Sequence, residues 1–232
     1  MLIVTLFSFA RATGYLPKDR STEAGHVARA KDRGGVIEIF NCDEMSRLLS
    51  AARDDVLPYV VLGAFAGIRT AELMRLTWDC IRFDRKTIEI KAGMAKTAQR
   101  RLIPLADNLT EWFRKVAKAS GPVITLARPE KTASEVVAKS CDPAIPWKRN
   151  GLRHSYASYR LAILQDAGKL ALEMGNSPSM IFSNYRELVE EDDAKKWFGI
   201  FPKAKEVDSK TKMHLHKKLA TKVAPDGQPP HA

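Results

Sequence analysis

Between Ile81 and Leu105 the hydrophobic pattern of this chain changes period, and that change restricts its fold more than any other feature. Upstream, apolar residues recur at helical spacing. Met45, Leu48, Leu49 and Ala52 mark one stripe, with Asn41 or Asp43 available as its cap. Val56, Leu57, Val60, Val61, Ala64 and Phe65 mark a second, which Gly67 breaks before a short helix through Ala71, Leu73 and Leu76. IRFDRKTIEI then alternates in two short runs around Asp84-Arg85-Lys86, as a hairpin does, and RRLIPL supplies a third strand ending at Pro104. Helical spacing returns with Leu109, Trp112, Phe113 and Val116. The pattern predicts a mainly α fold with a small three-stranded antiparallel β-sheet between about residues 79 and 105.

Further helices are expected over 131–139 and from Gly151 to Ala162, the latter with Leu152, Tyr156, Tyr159 and Ile163 available for the core. Residues 169–174 form one more turn or two, stopped by Gly175. Ser177 then caps a helix with Pro178 at its first position, and 187–198 continue in helix.

Three regions follow. Residues 1–38 read as one helix with large residues almost all round, ending before Pro17, and then a polar, glycine-containing linker. A helix apolar on every side wants a partner, so it is expected to be the last helix of an N-terminal domain otherwise missing from the chain. Residues 39–200 form the compact domain. Residues 201–232 form a basic tail: beyond Pro202 it has seven lysines against three acidic residues and no aromatic ring, too little apolar mass for a core. His214 and His216 in that tail are read as accidents of composition rather than a metal site.

Charge narrows the partners. Thirty-eight Lys and Arg against twenty-seven Asp and Glu leave +11 at pH 7. Such an excess favours a polyanion, with acidic lipid or an acidic protein as other possibilities. The opening MLIVTLFSFA lacks a basic flank and is interrupted by Arg11, and the apolar run from Val56 to Ile68 is short and contains Pro58. Neither is expected to span a membrane. Cys42, Cys80 and Cys141 are widely spaced, which suits a reducing cytoplasm and neither a zinc knuckle nor a disulfide framework.

No glycine-rich phosphate loop and no HExxH is present, so neither a cofactor nor a metal is expected. Among the folded segments only His154 offers an imidazole. Arg69, in GIRTAEL, sits at the joint between two apolar helices, and Arg153, in NGLRHSYASY, starts a third. Taken singly, each arginine pairs with a nearby acid, for example Arg69 with Glu72 across a turn. Taken together, two guanidinium forks suit a phosphodiester, whose non-bridging oxygens gain charge in the transition state. Lys96, on the turn before the third strand, and Tyr185, on a short helix, mean little alone.

In order, however, these segments resemble the tyrosine recombinase and phage integrase family over roughly residues 39–200. GIRTAEL is similar to the family's first-arginine motif, with Arg69 the arginine and Glu72 its supporting acid. AKTAQRRLIPL resembles the hairpin motif, giving Lys96. NGLRHSYASY resembles His-x-Leu-Arg-His, placing the second arginine at Arg153 and the following histidine at His154. EMGNSPSMIFSNYREL resembles the closing motif, placing the nucleophile at Tyr185. FSFARATGYLPK is similar to the last helix of the family's core-binding domain and the start of the linker. Two positions depart from the pattern: Asn150 stands where histidine is usual, and Asn176 where histidine or tryptophan is usual. Asparagine donates hydrogen bonds to a phosphate oxygen but takes up no proton near neutrality. His154 is a supporting residue in this reading and does not replace Asn150, because adjacent helix residues do not share a face.

The resemblance implies the DNA breaking-rejoining fold and site-specific recombination of double-stranded DNA, as in integration of mobile elements, with no cofactor. Tyr185 would attack a phosphodiester and join the 3′ phosphate. Arg69 and Arg153 would hold non-bridging oxygens, Asn150 and Asn176 would add hydrogen bonds, and Lys96 would protonate the 5′ leaving oxygen. The helix over 187–198, anchored by Trp197 and Phe198, would either dock on a neighbouring subunit and support self-association on DNA, or cover its own core. Two other readings stay open: a type IB topoisomerase-like enzyme, and a non-catalytic DNA-binding remnant, which the two asparagines would suit. All catalytic readings share one demand. Residues spread over more than a hundred positions must line a single pocket.

Overall fold

The computed structural model describes residues 2–17, 19, 22–26, 37–94, 100–185 and 189–202. The chain divides into two compact units, Met1–Val36 and Ile37–Ala232. In the first, helix α1 spans Leu2–Ala12 and α2 spans Glu23–His26. Helix α1 is shorter than its apolar pattern predicts. Gly14 turns at φ 85°, and the amides of Tyr15 and Leu16 both fold back onto the Ala10 carbonyl. That closes the helix about four residues early, at a left-handed position a glycine adopts freely. Helix α2 lies where only linker was expected.

The second unit is built around two crossed helices. Helix α4 (Leu57–Ala66) is buried at every residue, and α9 (Gly151–Leu164) packs across it. Their approach is close because Gly63 has no side chain: a Cβ there would lie 2.9 Å from Leu152. Helix α3 (Cys42–Ala51) enters under a reciprocal cap, with Asn41 accepting from the Glu44 amide and Glu44 from the Asn41 amide. Just before it, Phe40 is sewn to α9, donating to Ser155 Oγ and accepting from Tyr159 Oη. Helix α4 ends at Gly67, in the left-handed region at φ 60°, where a Cβ would also collide with the Tyr156 ring. The short α5 (Thr70–Leu73) starts directly beyond.

A 3-10 turn over Trp78–Cys80 leads into strands β1 (Ile81–Arg82), β2 (Thr87–Ile90) and β3 (Arg101–Pro104). They form an antiparallel sheet in the order β1-β2-β3, with Ile88 opposite Ile81 and Ile103. Alternation along β3 buries Arg101 and Ile103 and exposes Leu102 and Pro104. Helix α6 (Asp107–Phe113) follows, and then a helical run in which α7 (Pro129–Thr132) and α8 (Ala138–Ser140) flank a π turn over Ala133–Val137.

Beyond α9 come α10 (Ala167–Met174), α11 (Pro178–Tyr185) and α12 (Glu191–Phe198). Ser177 Oγ accepts from the Met180 amide at the start of α11. Ile163, expected in the core, is instead 37% exposed: its neighbours Leu161, Ala162 and Leu164 pack against the core, and position 163 is left on the outer side of that turn. Helix α12 begins at Glu191 rather than near 187, with extended backbone at Glu190 and an acidic first turn. It covers its own core: Trp197 is fully buried, stacks on Tyr159 at 4.2 Å between centroids, and donates to the Ala64 carbonyl. Trp197 therefore does not serve as a free anchor for a neighbour. No described helix is long and apolar enough to cross a membrane. The tail from residue 203 onward, with His214 and His216, lies outside the described residues, as does most of the expected linker.

Candidate active site

Four helix ends meet at one place. Gly67 closes α4, Asn150 opens α9, Gly175 closes α10 in a left-handed turn at φ 64°, and Tyr185 ends α11. A cleft of about 560 Å³ lies between them, and Arg69, Asn150, Arg153, His154, Asn176 and Tyr185 all line it.

The arginine wall is anchored on backbone carbonyls. Arg153 Nη1 donates to the Gly67 carbonyl, and its Nη2 donates to the Met174 carbonyl at 2.9 Å and to Asn176 Oδ1 at 3.2 Å. Arg69 Nη2 donates to the Gly175 carbonyl at 2.8 Å and to the same Asn176 Oδ1 at 2.6 Å. These acceptors sit at the C-terminal ends of α4 and α10, where unpaired carbonyls and the helix dipole favour cations. One asparagine oxygen, with its two lone pairs, thus ties both guanidinium groups together. Among the described residues, Arg69 spends three of its five N–H donors, two on these bonds and one on Glu72, and Arg153 spends three on its own, which leaves each with two.

Glu72 holds this wall from behind. It is 1% exposed and accepts from the Arg69 amide, from Arg69 Nη1, and from both Nη atoms of Arg101. Burial alone would raise its pKa, but Arg101, with Arg69, keeps it below the ordinary carboxylate value. Arg101 also donates from Nε to the Glu173 carbonyl at 3.0 Å. Two guanidinium groups, Arg69 and Arg101, therefore share a single carboxylate, and Arg69 lines the cleft together with Arg153, which has no acid of its own among these bonds. Burial, with Arg69 close by, pulls the Arg153 pKa down to about 9, which leaves the group charged at neutral pH.

The opposite wall carries Tyr185, 5% exposed, packed among Tyr156, Leu170, Met174 and Ile181. Its hydroxyl lies 2.7 Å from His154 Nδ1. Burial raises the Tyr185 pKa above its ordinary value, with Arg153 and Arg69 pulling against that rise. Burial, and then Arg153, lower the His154 pKa.

The structure thus brings together every named site residue it describes. Lys96 falls in 95–99, outside the described residues. Arg69 pairs with Glu72 as an isolated surface reading predicts, yet that pair also points Arg69 at Asn176 and Arg153. Asn150 lines the cleft from a left-handed position, φ 54°, that asparagine tolerates better than most residues. His154 departs from expectation. Positions 153 and 154 do point in different directions, but the cleft has two walls, and each residue reaches one. Arg101 was not anticipated, although it shares the inward parity of Ile103 and Leu105 on the third strand. The carbonyls of Gly67, Met174 and Gly175 have no signature in side-chain identity.

Comparison with known proteins gives a consistent picture. The profile of the phage integrase family matches residues 39–163, a span that contains Arg69, Asn150 and Arg153 but stops short of Asn176 and Tyr185. No curated protein sequence matches. Among solved structures, the chain is similar to an integrase from mycobacterium phage Brujita, at 15% identity and TM-score 0.52, over 89% of this chain and 72% of that one. It is also similar to XerA recombinase, at 14% identity and TM-score 0.51, over 91% of this chain and 81% of that one. A third likeness is to the Tn1549 transposon integrase, solved in complex with a circular intermediate DNA, at 16% identity and TM-score 0.55, over 80% of this chain and 74% of that one. At such identities the likeness is one of fold.

Proposed function

The chain belongs to the phage integrase family, and on that premise we propose that it cleaves and rejoins double-stranded DNA through a 3′-phosphotyrosine at Tyr185. The observation that carries this reading is the shared seat of Arg69 and Arg153 on Asn176, across one cleft from the Tyr185 hydroxyl. Two fixed cations with spare donors match the growing charge on the non-bridging oxygens of a phosphodiester under attack. Because the wall is already hydrogen-bonded, little rearrangement is needed when that charge develops. Asn150 and the Asn176 amide nitrogen add donors from either side. Lys96 protonates the departing 5′ oxygen in this reading. The covalent linkage conserves the energy of the broken bond, so the strand is resealed without ATP.

Exchange between two DNA segments needs more than one such site, so the reading includes self-association on DNA. Helix α12 would have to leave its seat on Tyr159 and Ala64 to serve a neighbour. The second reading, a DNA-binding remnant without catalysis, is favoured by Asn150 and Asn176, neither of which moves a proton. Incubation of the full chain with a randomised pool of nicked suicide duplexes, followed by denaturing capture, separates the two. Enrichment of DNA covalently attached to protein is the expected result. Salt-sensitive binding with no denaturant-resistant complex would leave the remnant reading standing instead.

A further inference from the structure

We propose that His154 is the base that receives the phenolic proton of Tyr185, a task that falls to it because Asn150 cannot perform it; this rests on the covalent reading above. A phenol that attacks phosphorus must lose its proton as the new bond forms. Among the described residues, His154 Nδ1 is the hydrogen-bond partner of the Tyr185 hydroxyl, at 2.7 Å. It is also the only histidine between residues 27 and 213.

The direction of that hydrogen bond decides its meaning. A neutral imidazole with its proton on Nε2 presents a lone pair at Nδ1, and the phenol then donates. An imidazolium would donate to the phenol and oppose its ionisation. The ring is partly buried and follows directly on the Arg153 guanidinium, both of which disfavour the cation. Among the described residues, the charged and titratable groups facing the cleft from the packed elements are Tyr59 on α4, Arg69 just before α5, Glu130 on α7, Arg153 on α9 itself and Tyr185 on α11. Glu130 is the only acid among them, set against two arginines, so the cleft as a whole favours the neutral ring.

The geometry follows from the helix crossing. Successive residues on α9 diverge by about 100°. Arg153 therefore turns toward the ends of α4 and α10, and His154 toward α11. One helix thus delivers the oxyanion clamp and the proton acceptor to opposite sides of one phosphate.

The step balances. The Tyr185 proton passes to His154 Nδ1 while the phenolic oxygen forms its bond to phosphorus. The bond from phosphorus to the 5′ oxygen breaks, and that oxygen leaves with the electron pair and takes a proton from the acid. On resealing, the 5′ hydroxyl attacks and returns its proton to the Lys96 amine that had supplied it, the bond from phosphorus to the phenolic oxygen breaks, and the His154 imidazolium gives its proton to the departing phenolate. Nothing is oxidised or reduced.

The test is single-turnover adduct formation on a suicide duplex across pH, for the full chain and for His154→Asn. Asparagine can place an oxygen near the Nδ1 position, so it keeps the tyrosine seated but accepts no proton. For the unsubstituted chain the rate should fall at acid pH with a midpoint below the ordinary histidine value of about 6.5. His154→Asn should lose that acid limb and be slower by about 10²–10⁴-fold, the usual worth of a general base, with DNA binding and melting temperature unchanged. If the variant keeps both the rate and the limb, the base assignment is overturned while the covalent reading stands. If the unsubstituted chain forms no adduct, the covalent reading itself is lost, and the proposal with it. Nitrogen NMR of the histidine-labelled, unsubstituted chain is independent of variant folding. It should show the Nε2–H tautomer for His154 at neutral pH; an Nδ1–H tautomer or a cation would contradict the proposal.

Discussion

The two walls of the cleft differ in how they are held. On one side, Arg69, Arg101, Arg153, Glu72 and Asn176 share a network that reaches the ends of α4 and α10 and the first residue of β3. On the other, the Tyr185 hydroxyl has one hydrogen bond among the described residues, to His154, and the ring rests in a small apolar cluster. The difference matches the chemistry assigned to each. A clamp for charge works best when it does not move, because reorganisation at the moment of reaction costs rate. A nucleophile that must attack, remain covalently attached and be released is better served by a single exchangeable bond. Variants that damage only one wall should therefore fail in different ways.

The largest effect is expected at the base of the arginine wall. Glu72→Ala strands Arg101, whose side chain is 6% exposed, without its acid. Loss of one partner of a buried pair costs about 3–5 kcal/mol, so equilibrium unfolding should report a shift of that order. Arg153→Ala should leave more of the stability but slow adduct formation by about 10²–10³-fold, as loss of one oxyanion donor does. Arg153→Lys should not restore it, since a point charge cannot span Gly67, Met174 and Asn176 together. Asn176→Ala removes only the clasp between the arginines. Hydrogen bonds to charged groups are worth about 1.5–3 kcal/mol, and the expected loss of rate lies at or below that of Arg153→Ala.

Acidity provides a milder probe of the same wall. The folded-state pKa of Glu72 lies below its unfolded value, so its stabilisation is present above the unfolded value of about 4.3 and fades as pH falls through the folded one. Thermal melts below pH 4.5 should therefore drop more steeply for the native chain than for Glu72→Gln, starting from the higher value. The smallest effect is expected from ending the chain at Pro202. That removes seven lysines, so non-specific DNA affinity and its salt dependence should decrease, while adduct formation on saturating DNA stays the same.

The contrast between the walls also explains what was legible in the chain. The period change at Ile81 announces the sheet, because alternation is a property of local sequence. Asn41, Gly67, Gly175 and Pro178 mark helix ends for reasons of backbone geometry that operate at single residues. The arginine pair is legible only as an anomaly, two costly charges at apolar joints. What seats them is not legible, since three of their acceptors are backbone carbonyls that any residue would supply. Arg101 was readable in principle from strand parity. The direction of His154 was not, because it depends on how α11 crosses α9, and that crossing is decided by packing. The same holds for Ile163, which is left on the outer side of α9 while Leu161, Ala162 and Leu164 around it meet the core. Trp197 was readable as an anchor, but whether it anchors its own core or a neighbour's is a question of tertiary packing alone.

Mapping the covalent bond tests the central claim most directly. An adduct formed on suicide DNA is trimmed with nuclease, digested with protease and sequenced by mass spectrometry. The account predicts a nucleotide carried through its 3′ phosphate on Tyr185, and no attachment in Tyr185→Phe. Attachment at another tyrosine such as Tyr156 or Tyr159, attachment through a 5′ phosphate, or an adduct that persists in Tyr185→Phe would contradict it.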